Sequence, residues 1–409
     1  MKLFRIGLLG LLFTTPVQAD TIEIMHFWVS DSEAAAIDVF AQAYQNNGDT
    51  WIEDRQPNRL ALHDNAYARL REGFPPTAMQ WSVAPDLYDM VQSGVSTHVN
   101  DVAPTELINR INPLVCETLD FDGNLAAVPV GLHGNNWSYY NTNIVAEFRL
   151  TSPESWTDFL DQMDIVADAG RPTIAIGSGI WERGIVLDAM MLEAGGEELL
   201  LEIKEGEFSA VNVPKMEVAL GNLIRFVDIV HGSGVESESW NTASLDVATG
   251  RATVQVMGDW AKGELVNAGY VPGEDFLCHI TPSPANHYLV TLDVFALPLS
   301  TNAEDQRAQR RFVEVVLDPV NQAEFSRRKG ALPVINDVDL SLLDICGRRG
   351  LAALQGDESS VLSVTRGRNP AITKAMDTVI EMISNQEISS ETEAFATMLS
   401  LFEAARGDL

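Results

Sequence analysis

The chain is predicted to be an α/β protein built as two lobes. Short β-rich runs alternate with amphipathic helical stretches along most of its length. Its 409 residues exceed what one hydrophobic core usually serves. No repeat or low-complexity linker divides it, which fits lobes that the chain crosses more than once, although it also fits one large domain.

Taken in order, the first residues read as an export leader. Lys2 and Arg5 precede an apolar run over 6–13, and Val17-Gln18-Ala19 closes it with a small residue that a signal peptidase can cut before Asp20. Position 20 is not Cys, so the pattern for lipid attachment is missing and a soluble periplasmic protein is expected. Residues 21–28 follow as a strand, and a helix then places Ile37, Phe40, Ala41 and Tyr44 on one face. A later helix is expected to start with Ser152 as its cap and Pro153 in its first turn. Trp156, Phe159, Leu160 and Met163 form its core stripe, and Gly170 stops it. Residues 173–176 read as a buried strand entering the turn Gly177-Ser178-Gly179, after which Trp181 opens a helix expected to end at Gly195-Gly196. Pro214 opens a further helix that buries Met216, Leu220, Leu223 and Val227. Strands over 252–257 and 291–297 and an amphipathic helix over 304–317 complete the pattern.

Composition narrows the partners. The formal charge is −31, and loss of residues 1–19 leaves 390 residues and removes Lys2 and Arg5, moving it to −33. Nucleic acid and anionic membrane surfaces are poor partners for so acidic a chain. No later stretch approaches the roughly 20 apolar residues of a membrane span. Of three cysteines, Cys278 and Cys346 are expected to pair, both lying near segment junctions in the second half, with Cys116 left over. Three reduced, buried cysteines are the alternative.

Catalytic signatures are absent: there is no His-Glu-x-x-His, Gly-x-Ser-x-Gly, phosphate loop or Cys-x-x-Cys. Carboxylate pairs such as Glu197 and Glu198 arise by chance among 58 acidic residues. The spacing of His279 and His287 follows no metal-ligand logic, so they read as surface histidines. No catalytic residue, metal or cofactor is expected.

The tryptophans carry the positive signal. Trp28, Trp81, Trp137, Trp181, Trp240 and Trp260 adjoin polar or glycine-rich residues, whereas only Trp156 lies plainly in an apolar stripe and Trp51 is undecided. A pyranose presents C–H groups on one face and hydroxyls around its edge, so a sugar site needs flat aromatic platforms ringed by amides and carboxylates. A wedge packed at a strand end is the competing reading of each tryptophan taken singly.

Several strings together resemble one family. They are His26-Phe27-Trp28-Val29-Ser30-Asp31-Ser32-Glu33-Ala34-Ala35-Ala36, Pro75-Pro76-Thr77-Ala78-Met79-Gln80, Ser239-Trp240-Asn241, Val256-Met257-Gly258-Asp259-Trp260-Ala261 and Lys329-Gly330-Ala331-Leu332-Pro333. Over nearly the whole mature chain the sequence resembles the glucose- and mannose-type periplasmic substrate-binding proteins of ABC transporters. The resemblance implies two α/β lobes with multiple hinge crossovers, a sugar cleft between them, a membrane permease as partner, and a monomer without cofactor. The lobes would comprise 20–128 with 285–335, and 129–284 with 336–409. It points to Trp28 and Trp260 as ring platforms beside Trp240, with Phe27 and Asn241 adjoining. Glu33, Gln80, His133, Asp293 and Lys329 would meet the sugar hydroxyls.

Departures from the family pattern leave the ligand open. Ser30-Asp31-Ser32 stands where the family often has Gly-Gly, placing an extra carboxylate beside the expected site. Arg366 corresponds to a frequent His, and a guanidinium there would suit an acidic sugar unless it is a solvated loop residue. Ala126-Ala127 stands where a second cysteine would partner Cys116. A uronate, a polyol or a disaccharide is therefore an alternative ligand. A secreted glycoside hydrolase with two cleft carboxylates is the rival class.

Overall fold

The structure is a computed structural model that describes residues 19–283, 287–355, 360–362 and 370–407. Residues 1–18 of the expected leader, and Arg366, lie outside the described residues.

A six-stranded mixed sheet forms the first half of the architecture. Thr21–His26 lies parallel to Thr50–Arg55 on one side and to Ala78–Ser82 on the other. Tyr288–Ala296 runs antiparallel to Ala78–Ser82 and to Val128–Gly134, and Ser360–Leu362 pairs with it in parallel. The register along Val128–Gly134 shifts between Asp293 and Val294, opposite Gly131 and Pro129. Pro129 has no N–H to donate to the ladder, and such an irregularity re-aims the side chains beside it. Asp293 is one of them.

A second sheet is smaller. Trp137–Asn141 pairs antiparallel with Val254–Met257 and with Phe276–Ile280. Ala175–Gly177 pairs with Val235–Ser237, and a bridge from Ile174 to Val254 joins this pair to the sheet.

Two hydrophobic clusters support these sheets. One gathers Ile24, Phe40, Phe295, Phe312 and Phe325 around the large sheet. The other packs the helices Trp156–Asp168, Ile180–Glu205, Val213–Ser233 and Pro370–Ser384 against the smaller strands. Ile37, Phe40, Ala41 and Tyr44 are buried as expected, and so are Met216, Leu220, Leu223 and Val227.

Two element boundaries differ from expectation. Ser155, not Ser152, caps the Trp156–Asp168 helix, its hydroxyl accepting from Asp158 N while Glu193 takes the amide of Trp156. The stretch Ile180–Glu205 breaks where a helix end is expected: Gly196 adopts the non-helical φ 65°, ψ −158° and separates two helices across a kink. The strand expected over 173–176 is Ala175–Gly177.

Cys278 and Cys346 form a disulfide, and Cys116 is free. The bridge closes a separation of 68 residues, for which loop-closure entropy predicts about 4 kcal/mol of stabilisation. No helix among the described residues is long and apolar enough to cross a membrane.

Candidate functional site: a charged cluster with an aromatic wall

Five segments distant in sequence build the site. The first is the end of Thr21–His26, where Ser30 caps the helix Asp31–Asn46 in a reciprocal capping box with Glu33. Glu33 Oε2 accepts from the amides of Val29 and Ser30, at 3.1 and 3.2 Å, which leaves Oε1 to face Lys329 Nζ at 3.4 Å. Ser30 therefore has a structural use, and Asp31 is an exposed first-turn carboxylate.

Lys329 is the last residue of the helix Pro319–Lys329, which ends on Gly330 at φ 91°. A Cβ at Gly330 would also lie 2.1 Å from Asp259 O. Only glycine satisfies the left-handed cap and the close backbone approach together. This crossing brings the Lys329-Gly330 corner against Asp259-Trp260, a contact between segments 70 residues apart.

The remaining three segments, carrying His133, Asp293 and Asp259, meet at His133. Its Nε2 lies 2.9 Å from Asp293 Oδ2, and its Nδ1 lies 2.5 Å from Asp259 Oδ1. Asp259 Oδ2 accepts from Gly134 N at 2.8 Å. Lys329 Nζ stands 3.8 Å from Asp293 Oδ2, so the lysine links Asp293 to Glu33.

Electrostatics follow from this geometry. Burial disfavours a charged His133, but the carboxylates of Asp259 and Asp293 outweigh it and raise the imidazole to about 9. His133 is therefore charged at neutral pH and donates from both ring nitrogens. Burial likewise opposes the charge on Lys329, and Glu33, Asp293 and Asp259 more than restore it. Burial pushes the Asp293 carboxyl up, yet His133 and Lys329 together hold it below its ordinary value. Three carboxylates face two cations, and two of those carboxylates remain open to solvent: the Asp293 side chain is 22% exposed and that of Glu33 13%.

The aromatic wall is Trp260, half-buried, whose ring centroid lies 5.6 Å from that of His133 in an edge-on arrangement. A Cβ at Gly258 would lie 2.3 Å from Trp260 Cη2, so glycine lets the indole fold back over its own strand end. Trp240 and Asn241 are partly buried at the start of the helix Trp240–Ala248. Trp240 packs against the first core, and the Asn241 oxygen accepts from Ser239 Oγ.

One expected platform and one expected hydroxyl partner, Trp28 and Gln80, are buried. Trp28 is 1% exposed and lies in the core, because Phe295 and Phe325 cover it at centroid distances of 5.7 Å. It supports Lys329 from below, with Nζ 5.5 Å from its ring, and offers no open face. Phe27 is partly buried against the same core. Gln80 is buried and spends its side-chain oxygen on Phe27 N at 3.0 Å, which positions the strand end. Trp81 and Trp137 are core as well: Trp81 stacks on His63, and Trp137 donates to Tyr288 OH. Trp51 is also buried.

Asp259 escaped the sequence reading as a site residue in its own right. Its bridging role depends on Val128–Gly134 and Val254–Met257 coming together, and no local pattern encodes that. Trp181 also had no assigned role. It is 47% exposed, with its ring centroid 6.4 Å from that of Trp260 at an angle of 43°.

Glu182, Glu197 and Glu198 do not serve the catalytic alternative. Burial pushes Glu182 up to about 7, a value suited to a general acid, although the amides of Gly177 and Gly179 pull against it. Yet Glu182 is fully buried and both oxygens are engaged by those amides, so it fastens a turn and cannot reach a glycosidic bond. Glu197 and Glu198 are exposed. His279 is half-buried and not a surface histidine, held down at about 4 by burial and by Arg349. No metal-binding group occurs among the described residues.

Known proteins show the same architecture. Residues 41–342 match the family described as bacterial extracellular solute-binding protein. A relative from Rhizobium meliloti (strain 1021), named a probable sugar-binding periplasmic protein, is 28% identical, with 99% of each chain covered. One from Pyrococcus horikoshii, named an uncharacterized ABC transporter extracellular-binding protein, is 22% identical over 97% of this chain and 90% of its own. Among solved structures, a chitin oligosaccharide binding protein superposes with a TM-score of 0.79 at 15% identity, covering 95% of this chain and 99% of that one. The two-lobed α/β fold is thus established, and the family is one of binding proteins acting outside the cytoplasm, not of enzymes. The match over most of the chain, joined to the buried ionic cluster and its aromatic wall, makes this protein a member of the bacterial extracellular solute-binding family.

Proposed function

We propose that the protein captures a neutral sugar in the periplasm and delivers it to the permease of an ABC importer. One pyranose ring of glucose or mannose type lies against Trp260, and Glu33, Asp293 and Lys329 take its hydroxyls. The observation that carries this reading is the pair of partly open carboxylates, Glu33 and Asp293, pinned by Lys329 and the charged His133 beside an accessible indole. Carboxylates held in one orientation accept vicinal hydroxyls with little reorganisation.

His133, Asp259, Gln80 and Trp28 are the supporting layer, since each is buried and acts through a neighbour, whereas Lys329, also buried, holds its ammonium 3.4 and 3.8 Å from the two open carboxylates. Three charged hydrogen bonds at about 1.5–3 kcal/mol each, with roughly 1 kcal/mol from the stacked ring, bracket the ~8 kcal/mol of micromolar binding. An excess of carboxylates over cations disfavours a uronate, because it would add a like charge. Both the Rhizobium relative's name and the solved chitin-oligosaccharide receptor agree with a sugar ligand. The lobes of this reading are 20–128 with 285–335 and 129–284 with 336–409, closing on the sugar as a monomer, so that the closed form presents the transporter with a loaded surface.

Calorimetric titration of the purified protein with glucose, mannose, galactose, galacturonate and mannitol tests it. A neutral sugar binds saturably, galacturonate binds more weakly, and Asp293→Asn abolishes or strongly weakens the heat. Binding of none of the sugars by the unaltered protein overturns the proposal.

A further inference from the structure

Trp181 stands apart from the other tryptophans. Five of the eight are in the core, Trp240 and Trp260 are half-buried, and Trp181 is 47% exposed. An indole left in water on a folded surface forfeits apolar burial, and this one stands next to Trp260 of the candidate site.

Its attachment is not that of a loose surface residue. Trp181 is the second residue of the helix Ile180–Glu205, directly after the turn Gly177-Ser178-Gly179. Glu182 takes the amides of Gly177 and Gly179 at 2.7 and 3.3 Å, Arg183 donates to Gly177 O at 3.1 Å, and Ser178 Oγ donates to Glu238 O at 2.8 Å. A Cβ at Gly179 would lie 2.5 Å from Trp181 Nε1, so the indole rests on the bare backbone of the pinned turn. A side chain held in this way binds with little further loss of freedom.

Trp260 lies between the charged cluster and this indole. Its ring centroid is 5.6 Å from His133 and 6.4 Å from Trp181, the latter at 43°. One sugar ring sandwiched between parallel faces would need about 7–8 Å, two carbon contacts of ~3.5–4.0 Å each. The two indoles are too close and too oblique for that. They offer two successive faces around a corner, one beside the cluster and one toward solvent, matching two rings joined by a bridging oxygen.

We infer that Trp181 is a second stacking platform, so that the preferred ligand is a neutral disaccharide or longer glycan whose next ring leaves the Trp260 site across Trp181. The inference rests on the sugar reading above and adds the length of the ligand to it.

Titration of the unaltered protein, Trp181→Ala and Trp181→Phe with glucose, maltose, cellobiose and lactose decides the matter. At least one disaccharide binds the unaltered protein more tightly than glucose. Trp181→Ala weakens that disaccharide about three- to tenfold more than it weakens glucose, and Trp181→Phe recovers most of the difference. Gly179→Ala, which pushes the indole off its turn, shifts the ratio in the same direction. A disaccharide preference that survives Trp181→Ala overturns the inference, as does glucose binding tighter than all three disaccharides or an equal loss for both ligand classes. In each of those cases the sugar reading stands, whereas failure of every sugar to bind the unaltered protein removes that reading and the inference with it.

Discussion

Trp28 and Trp260 occupy comparable places in the chain. Trp28 follows the strand Thr21–His26 and precedes the helix Asp31–Asn46, and Trp260 follows Val254–Met257 and opens the helix Trp260–Asn267. Both stand where a strand gives way to a helix, among polar residues. Phe295 and Phe325 close over the first, while the second keeps an open face beside His133 and Trp181. What differs is the side chain laid against each ring: Phe325 of the Pro319–Lys329 helix and Phe295 close over Trp28, whereas Trp260 stays half-buried although its own helix packs against Pro319–Lys329 and Trp240–Ala248. An aromatic residue at a strand end is thus a potential platform, and distant segments decide whether it becomes one.

The comparison is broken most severely at its buried member. Trp28→Ala empties a site packed by two phenylalanines and removes the support under Lys329, so unfolding free energy falls by about 3–5 kcal/mol. Denaturant melts measure it, and a loss under 1 kcal/mol would mean that Trp28 is not core.

The ionic cluster between the two tryptophans has a pH signature. His133 is raised from an ordinary value near 6.5 to about 9, so the stability it contributes is complete below about 6.5 and is lost as pH rises through 9. That loss is on the order of 3 kcal/mol. Glu182 adds a decline at lower pH, because a carboxyl raised from 4.5 to about 7 favours its neutral form in the fold, and that contribution fades as pH rises through 7. Melting temperatures should therefore fall between pH 7 and 10, and His133→Gln, less stable throughout, should show a flatter alkaline limb. An unchanged limb would show that His133 carries no charge.

The smallest expected effect sharpens the contrast. Trp260→Ala removes a half-exposed ring, so stability changes little, whereas sugar affinity falls about three- to tenfold through the lost stacking. Melting and titration of the same sample separate the two responses. Equal stability losses for Trp28→Ala and Trp260→Ala would dissolve the distinction.

Much of the fold was legible in advance. The helix carrying Ile37, Phe40, Ala41 and Tyr44, the strand before Trp28 and the Cys278–Cys346 pairing appear as expected. Apolar periodicity reports on local backbone shape, and both are short-range properties. The proposed site was legible as a set of segments: Glu33, His133, Asp293 and Lys329 lie together beside Trp260, while Gln80 and Trp28 are buried behind them. Asp259 and Trp181 were not legible as partners, since Asp259 becomes a bridge only when His133 arrives from 126 residues away.

From the sequence alone came the alternation of strands and helices, the acidic charge, and the set of strings whose chemistry suits a sugar. Those depend on residue type and spacing, which the chain carries whatever its conformation. Only the tertiary structure decided which carboxylates stay open, why His133 is charged, and which tryptophan keeps part of its ring exposed. Burial, charge pairing and coverage of a ring are properties of segments brought together from far apart, and each is set by the partner that arrives and not by the residue itself.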